Sequence, residues 1–229
     1  GVGGMSTLDE NFQRLYLENA KRLPPFVIPK LMISAAVSHI TMEHGIRGPA
    51  FTVASACASA NHAIGVAFQM VRAGMIDAVV TGGAESVFTP GTLKAWEAMR
   101  ILAPDTCRPF SQGRKGLVLG EGAGMLVLET RDRALARGAP ILGEILGFGM
   151  SADAGDIVTP SLEGAVAAMR AAIADSGRAA QAFDYINAHG TGTAINDAIE
   201  TKAIHQVFGD HARELAISST KSLHGHALG

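Results

Sequence analysis

Short apolar runs alternate with longer amphipathic ones along this chain. The run A-F-T-V-A-S-A at 50–56, flanked by Gly48 and Pro49, reads as a fully buried strand. The apolar positions that follow, from Ala58 through His62, Ile64, Val66, Phe68, Met70 and Val71, predict a helix that stops at Gly74. A strand is then predicted over 76–83, a helix over 92–100, a Pro/Gly-rich loop over 103–116 and a strand over 116–130. The helix R-D-R-A-L-A-R comes next and ends at Gly138. A second series follows: strand 141–150, helix 163–176, strand 184–188, helix 195–208 and strand 215–219. Earlier in the chain, A-A-V-S-H-I-T-M-E-H-G-I predicts a helix whose His39 and His44 read as packing or surface residues. This alternation predicts an α/β protein with mainly parallel strands. A boundary near residue 140 divides it into two α/β halves, 1–140 and 141–229, without a residue-by-residue repeat between them.

Composition narrows the class. Hydrophobic residues make up 48% of the 229 positions, enough for a substantial core, and 27 glycines with 5% aromatics suit thin layers and tight turns. Charged residues are 17%, the formal net charge is −2 and no Lys/Arg cluster occurs, so neither a nucleic acid nor an anionic membrane surface is the expected partner. No apolar run of membrane-spanning length and no basic-then-apolar leader is read in these residues; with two well-separated cysteines, a reducing cytoplasm is the expected setting. The chain starts at G-V-G-G and stops at H-A-L-G without the residues that usually close an element, which suggests a piece of a longer protein.

Three segments carry candidate chemistry. Cys57 falls on the predicted strand-to-helix turn, where unpaired N–H groups and the positive end of a helix dipole favour a thiolate. The small neighbours Ala56, Ala58 and Ser59 keep that turn open. The alternative is a small core residue, and the turn alone does not decide between them. In Y-I-N-A-H-G-T-G-T (185–193) a strand runs into a Gly/Thr loop carrying His189; in A-I-S-S-T-K-S-L-H-G-H-A-L-G (216–229) another runs into Lys221, His224 and His226. Ligands collect beyond the carboxyl ends of strands in open α/β sheets, so Cys57, His189 and His226 can converge although far apart in the chain. A cysteine nucleophile with two histidines points to acyl transfer through a thioester. Cys107 in its Pro-flanked loop reads as structural, although a disulfide to Cys57 stays open. Glu121 in G-E-G-A-G reads as an internal partner, and the glycines there fail the dinucleotide pattern because Met125 stands where glycine is needed.

The Cys57 turn, A-H-G-T-G-T (188–193), S-S-T-K-S-L-H-G-H (218–226) and G-L-V-L-G-E-G-A-G-M-L-V-L-E (116–129) together resemble the β-ketoacyl-[acyl carrier protein] synthases, the condensing enzymes of fatty-acid and polyketide synthesis. The resemblance runs over essentially the whole chain, with the motifs in the family's order. It implies the thiolase-like layered α/β fold, an acyltransferase activity, acyl carrier protein as partner and a homodimer. It implies no cofactor, the substrates being carried on the phosphopantetheine of the carrier. By this resemblance Cys57 accepts the acyl group, while His189 and His226 promote decarboxylation of malonyl-carrier and stabilise the enolate it leaves. Lys221 is then the supporting cation, and Thr191 and Thr193 hydrogen-bond the pantetheine arm.

The chain departs from the common family pattern at two places. His224 stands where threonine is usual, and R-K-G (114–116) replaces Arg-Asp-Gly. His224-Gly-His226 and the A-W-E-A-M-R-I-L run resemble the nodulation-type branch, which elongates unusual acyl chains. The family's C-terminal glycine-rich strand and first N-terminal strand are not found in these residues. Rival readings are a polyketide ketosynthase, a non-catalytic chain-length or dimerisation subunit, against which Cys57 argues, and a thiolase, which would need a reactive cysteine after Cys107. A zinc hydrolase built on His189, His224 and His226 would leave Cys57 without a role.

Overall fold

The computed structural model describes residues 1–229. Nine α-helices and four strands follow in the order α1 (Met5–Tyr16), α2 (Val27–Leu31), α3 (Ala35–His44), α4 (Ser59–Arg72), β1 (Ala78–Glu85), α5 (Pro90–Ala98), β2 (Gly122–Glu129), α6 (Arg131–Ala136), α7 (Leu162–Ser176), β3 (Tyr185–Asn187), α8 (Ala194–Phe208), β4 (Ala216–Ser218) and α9 (Lys221–His224). The helix ends follow local chemistry. Thr89, Thr130 and Ser161 each accept from the backbone N–H three residues on, capping α5, α6 and α7. Gly177 ends α7 in the left-handed region at φ 65°, which costs a glycine little.

β1 and β2 pair antiparallel from Ala78↔Glu129 to Glu85↔Gly122, and β3 and β4 pair in parallel from Tyr185↔Ala216 to Asn187↔Ser218. The expectation of mainly parallel strands is therefore corrected, since the longer ladder is antiparallel. Residues 50–56 and 141–150, predicted as strands, are not in any ladder, and of 116–130 only Gly122–Glu129 forms one. Leu117 and Leu119 make only isolated bridges, to Leu102 and His226. Apolar character reports a tendency to be buried, but a strand also needs a hydrogen-bonding neighbour, and period alone does not name one. Phe51, read as core, is 53% exposed for that reason. Helices α1 and α2 had no reading in the sequence.

In the second half α7 packs on α8, burying Ile204, Phe208, Ala212 and Leu215 against Met169, Ile173, Phe183 and Ile186. Each large side chain buried there contributes about 1.5–3 kcal/mol. In the first half α4 lies along β1, and an open apolar groove of about 1060 Å³ runs between α4, β1 and β2 on one side and α1, α3 and residues 46–53 on the other. The two halves meet where α4 receives Phe148. A Cβ on Gly65 would come within 2.2–2.4 Å of three Phe148 ring carbons, so glycine is required for this approach. The Phe148 amide donates to Asp175 Oδ2 at 2.9 Å, and Arg72 of α4 donates to the other oxygen of the same carboxylate at 2.9 Å.

Gly65→Ala should lower the unfolding free energy by about 1–3 kcal/mol, the usual cost of overpacking, seen as a lower urea midpoint at unchanged slope. His211 hydrogen-bonds the Phe183 carbonyl through Nε2 at 2.8 Å and Glu214 through Nδ1 at 3.1 Å. Both partners are acceptors, so both bonds form only with the imidazolium, and the Phe183 carbonyl first, then Glu214, raises its pKa from 6.5. Its contribution is full below the unfolded pKa and is lost as pH rises through the raised folded value. His211→Gln should therefore lower Tm at mildly acidic pH and leave it nearly unchanged at alkaline pH.

Candidate active site

Cys57 stands on the turn that leads into α4. Ala56, just before it, takes φ 51°, a left-handed conformation that costs a residue with a Cβ about 1–2 kcal/mol. Local bonds hold it there: the Ser55 amide donates to Ser59 Oγ at 2.9 Å, and Ser59 Oγ donates to the Ala56 carbonyl at 2.7 Å. The amides of Ala58 and Ser59 close onto the carbonyls of Ser55 and Ala56 at 3.2 and 3.1 Å. The thiol is exposed, as a turn between small residues allows. Protein packed around the sulfur nonetheless pushes the Cys57 pKa up by desolvation, with the Lys221 charge and the residue's own amide opposing. The expected thiolate preference at the helix end is corrected accordingly: the net direction is up, and the cationic support comes from Lys221.

His226 lies across the site, only 4% exposed. Its backbone is pinned by its amide donating to the Val118 carbonyl at 2.7 Å and its carbonyl accepting from Gly120 N–H at 2.9 Å. The Leu228 amide donates to Nδ1 at 3.0 Å, so the neutral ring carries its proton on Nε2. That Nε2–H stands 3.0 Å from Cys57 Sγ. His189 comes from the loop after β3, its ring edge-on to His226 with centroids 5.4 Å apart at 85°. One ligand atom each from Cys57, His189 and His226 lies within 4.8 Å of the other two. The convergence expected from the sequence is present.

Both imidazoles are held neutral. His189 is exposed at the residue level, yet the protein packed around its ring lowers it by desolvation, then Lys221 does, to about 4, against an opposing pull from Asp197. Burial, then Lys221, then the other two histidines, lowers His226 to about 3. Lys221 at the start of α9 is itself pushed down by burial, with Cys57 and Glu200 working against that. A neutral Nε2–H donates a hydrogen bond without carrying a charge into the site.

Two carboxylates that the sequence reading passed over shape the His189 loop. Glu200 accepts from the His189 amide at 2.6 Å and from the Gly190 amide at 2.8 Å. Asp197, 2% exposed, accepts from the amides of Phe110 at 2.7 Å and Gly192 at 3.2 Å, and Arg114 Nε approaches it at 3.7 Å. Arg114 also donates to the carbonyls of Ser111, Thr193 and Ala194, tying the 103–116 loop to the start of α8. Asp197 and Glu200 are three apart in T-A-I-N-D-A-I-E, the spacing that puts both on one face of a helix near its N-terminus. That signal was present in the sequence without an indication of what the face would meet.

The remaining candidates divide. Thr191 is buried and Thr193 half-buried, and their hydroxyls share a hydrogen bond of 2.8 Å. Cys107 is a free, buried thiol whose Sγ donates to the Thr191 carbonyl at 3.4 Å, so the disulfide left open above is not formed. Glu121 accepts from Ser86 Oγ and the Phe88 amide, an internal partner as read. His224 is exposed and bonds the Gly225 carbonyl at 2.8 Å, apart from the ligand-spaced set. The His189–His224–His226 zinc constellation is thus not assembled. Cys57, His189 and His226 are spaced to hold a metal, but the Lys221 ammonium acting on all three opposes a second cation.

The profile described as Beta-ketoacyl synthase, N-terminal domain, matches residues 1–134, and Beta-ketoacyl synthase, C-terminal domain, matches residues 142–229. The chain belongs to the β-ketoacyl synthase family. It is similar to nodulation protein E of Rhizobium sp. (strain N33), 54% identical over 231 residues, which takes in 100% of this chain and 58% of that protein. It is 41% identical to 3-oxoacyl-[acyl-carrier-protein] synthase 2 of Staphylococcus aureus, over 100% of this chain and 59% of that one. Among solved structures it matches a type II polyketide ketosynthase in complex with its acyl-carrier protein (AntDE:AntF), at 27% identity and TM-score 0.91, covering 97% of this chain and 58% of that one. The thiolase-like fold is thereby shown, and the chain spans little more than half the length of the relatives it matches.

Its two histidines should titrate far below ordinary imidazoles, near 4 for His189 and near 3 for His226, when followed by NMR. Unfolding frees both to bind protons near 6.5, so they erode stability progressively as pH falls from about 6.5 toward those values. Asp197→Ala should cost about 3 kcal/mol or more, because it strands two backbone amides and Arg114 at once. A loss below about 1 kcal/mol would mean that other contacts hold the loop.

Proposed function

We propose that this chain forms the catalytic centre of a β-ketoacyl-[acyl carrier protein] synthase that extends acyl chains of the fatty-acid type. Cys57 attacks the thioester carbonyl of an acyl-carrier protein; a carbon–sulfur bond forms to Cys57, the bond to the carrier sulfur breaks, and the carrier leaves as its thiol. Malonyl-carrier then enters and loses CO2, the electrons of the broken bond passing into an enolate. The enolate carbon attacks the Cys57 thioester, a carbon–carbon bond forms, and Cys57 leaves as thiolate, giving 3-oxoacyl-carrier protein.

The observation that carries this reading is the Nε2–H of His226, set by the Leu228 amide and aimed at the sulfur from 3.0 Å. Held neutral beside His189, it suits an oxygen on which negative charge develops. Lys221 biases the cluster toward its neutral imidazoles and supports the thiolate. Thr193, with Thr191 behind it, suits the amides of a pantetheine arm, so no further cofactor is required of the protein. Residues 1–140 then supply the cysteine half and 141–229 the histidine half. Acyl carrier protein is the partner, a homodimer the assembly and a reducing cytoplasm the setting, in keeping with the two free thiols. Identity of 41% to synthase 2 of Staphylococcus aureus supports the fatty-acyl assignment, and 54% identity to nodulation protein E supports the nodulation-type branch within it.

The test uses the full-length protein. Incubation with an acyl-carrier thioester followed by digestion and mass spectrometry should place the acyl group on Cys57, and Cys57→Ala should abolish it. His226→Ala should lower malonyl-carrier decarboxylation by about 10²–10³-fold, the cost of removing one oxyanion donor. An unmodified Cys57 in folded protein would instead support a non-catalytic subunit.

A further inference from the structure

The turn at Cys57 is held by one contact that the reaction above does not use. Ser55 Oγ and His62 Nδ1 share a hydrogen bond of 2.7 Å, joining the residue two before the thiol to the second turn of α4. The bond bridges the left-handed Ala56, the single strained residue between Ser55 and Cys57. A residue with a Cβ stays in that conformation only when its surroundings over-determine it.

His62 is itself gripped from the other side. Its ring lies edge-on to Phe148, centroids 6.1 Å apart at 86°, beside a cavity of about 430 Å³ bounded by Ser55, Asn61, Met150 and Ser151. Phe148 is seated on Gly65 and tied through its amide to Asp175, which Arg72 engages. A run of contacts therefore leads from the second half of the chain through Phe148, His62 and Ser55 to the turn that presents the sulfur. The other bonds of the turn, through Ser59, are internal to it.

We propose that His62 is a positioning residue for Cys57, which through Ser55 locks the turn so that the sulfur stays aligned with His226 Nε2. The proposal rests on Cys57 as nucleophile. It gives the imidazole a role at its Nδ1 position alone, away from the reacting atoms. An asparagine amide can occupy that position; a glutamine amide reaches past it toward Nε2.

The experiment measures iodoacetamide alkylation of Cys57 in the full-length protein, across pH, with the site located by mass spectrometry. Ser55→Ala and His62→Ala should each slow the reaction at neutral pH by about tenfold, equivalent to about 1.4 kcal/mol, and move its alkaline midpoint upward. The double variant should be no slower than either single one, as expected for two partners in one bond. His62→Asn should restore the rate to within about twofold of wild type while His62→Gln should not. Cys107, buried under the His189 loop, should stay unreactive throughout and so reports that the fold is intact. Wild-type reactivity in Ser55→Ala, equal rates for His62→Asn and His62→Gln, or alkylation of Cys107 in step with Cys57 would each overturn the proposal. Alkylation needs no carrier substrate, so a wild-type Cys57 that fails to accept an acyl group would sink the condensing reaction without touching these comparisons.

Discussion

The buried carboxylate of Asp197 is the constraint on which the histidine side of the site depends. The loop that carries His189 has no ladder of its own, so its amides must find partners elsewhere or lose the free energy of burial. Asp197 supplies two of them at once, to Gly192 in that loop and to Phe110 in the neighbouring one, while Arg114 compensates its charge. Glu200, one helical step further, takes the amides of His189 and Gly190. A single face of α8 thus replaces the missing sheet. The arrangement also accounts for Gly190 and Gly192, both at positive φ and both packed so closely that a Cβ would strike Ser219 or the Gly116 carbonyl.

Across the site the governing balance is between desolvation and one ammonium. Burial alone would raise Cys57 and lower both imidazoles. Lys221 pushes the histidines in the same direction as burial but works against it at the cysteine. The same charge therefore keeps two donors neutral and eases formation of a thiolate, roles that a neutral side chain at 221 would not combine. This is a use of local charge that differs from the helix-end argument, and it depends on α9 starting where it does, immediately after β4.

The two halves are packed unequally. The second has a small closed core of Ile204, Phe208, Ala212 and Leu215, whereas the first leaves β2 exposed over most of its length and borders an open apolar groove. Nucleophile and histidines are nevertheless brought together, because the halves join at α4, where Phe148 sits on Gly65 and Arg72 meets Asp175, and again beside the site, where His226 bonds Val118 and Gly120 and Asp197 accepts from Phe110. The chain spans 58–59% of the length of these relatives, and the groove and the β2 face are the surfaces it leaves uncovered.

Local chemistry in the sequence determined helices α3 to α8 and the candidate residues. α4, α7 and α8 are legible from apolar period and terminal glycines, and Cys57, His189, His226 and Lys221 from their places at element ends. These are properties of neighbours in the chain, which period and capping encode directly. What only the tertiary structure decided is pairing: that β1 meets β2 antiparallel, that 50–56 and 141–150 find no ladder, and that Asp197 and Glu200 close on a loop. It also decided the protonation of the site, since the desolvation that comes first in lowering both histidines exists only once distant segments pack around them. A hydrophobic run states that a segment will be buried; its partner, direction and electrostatic surroundings exist only once distant segments are in contact.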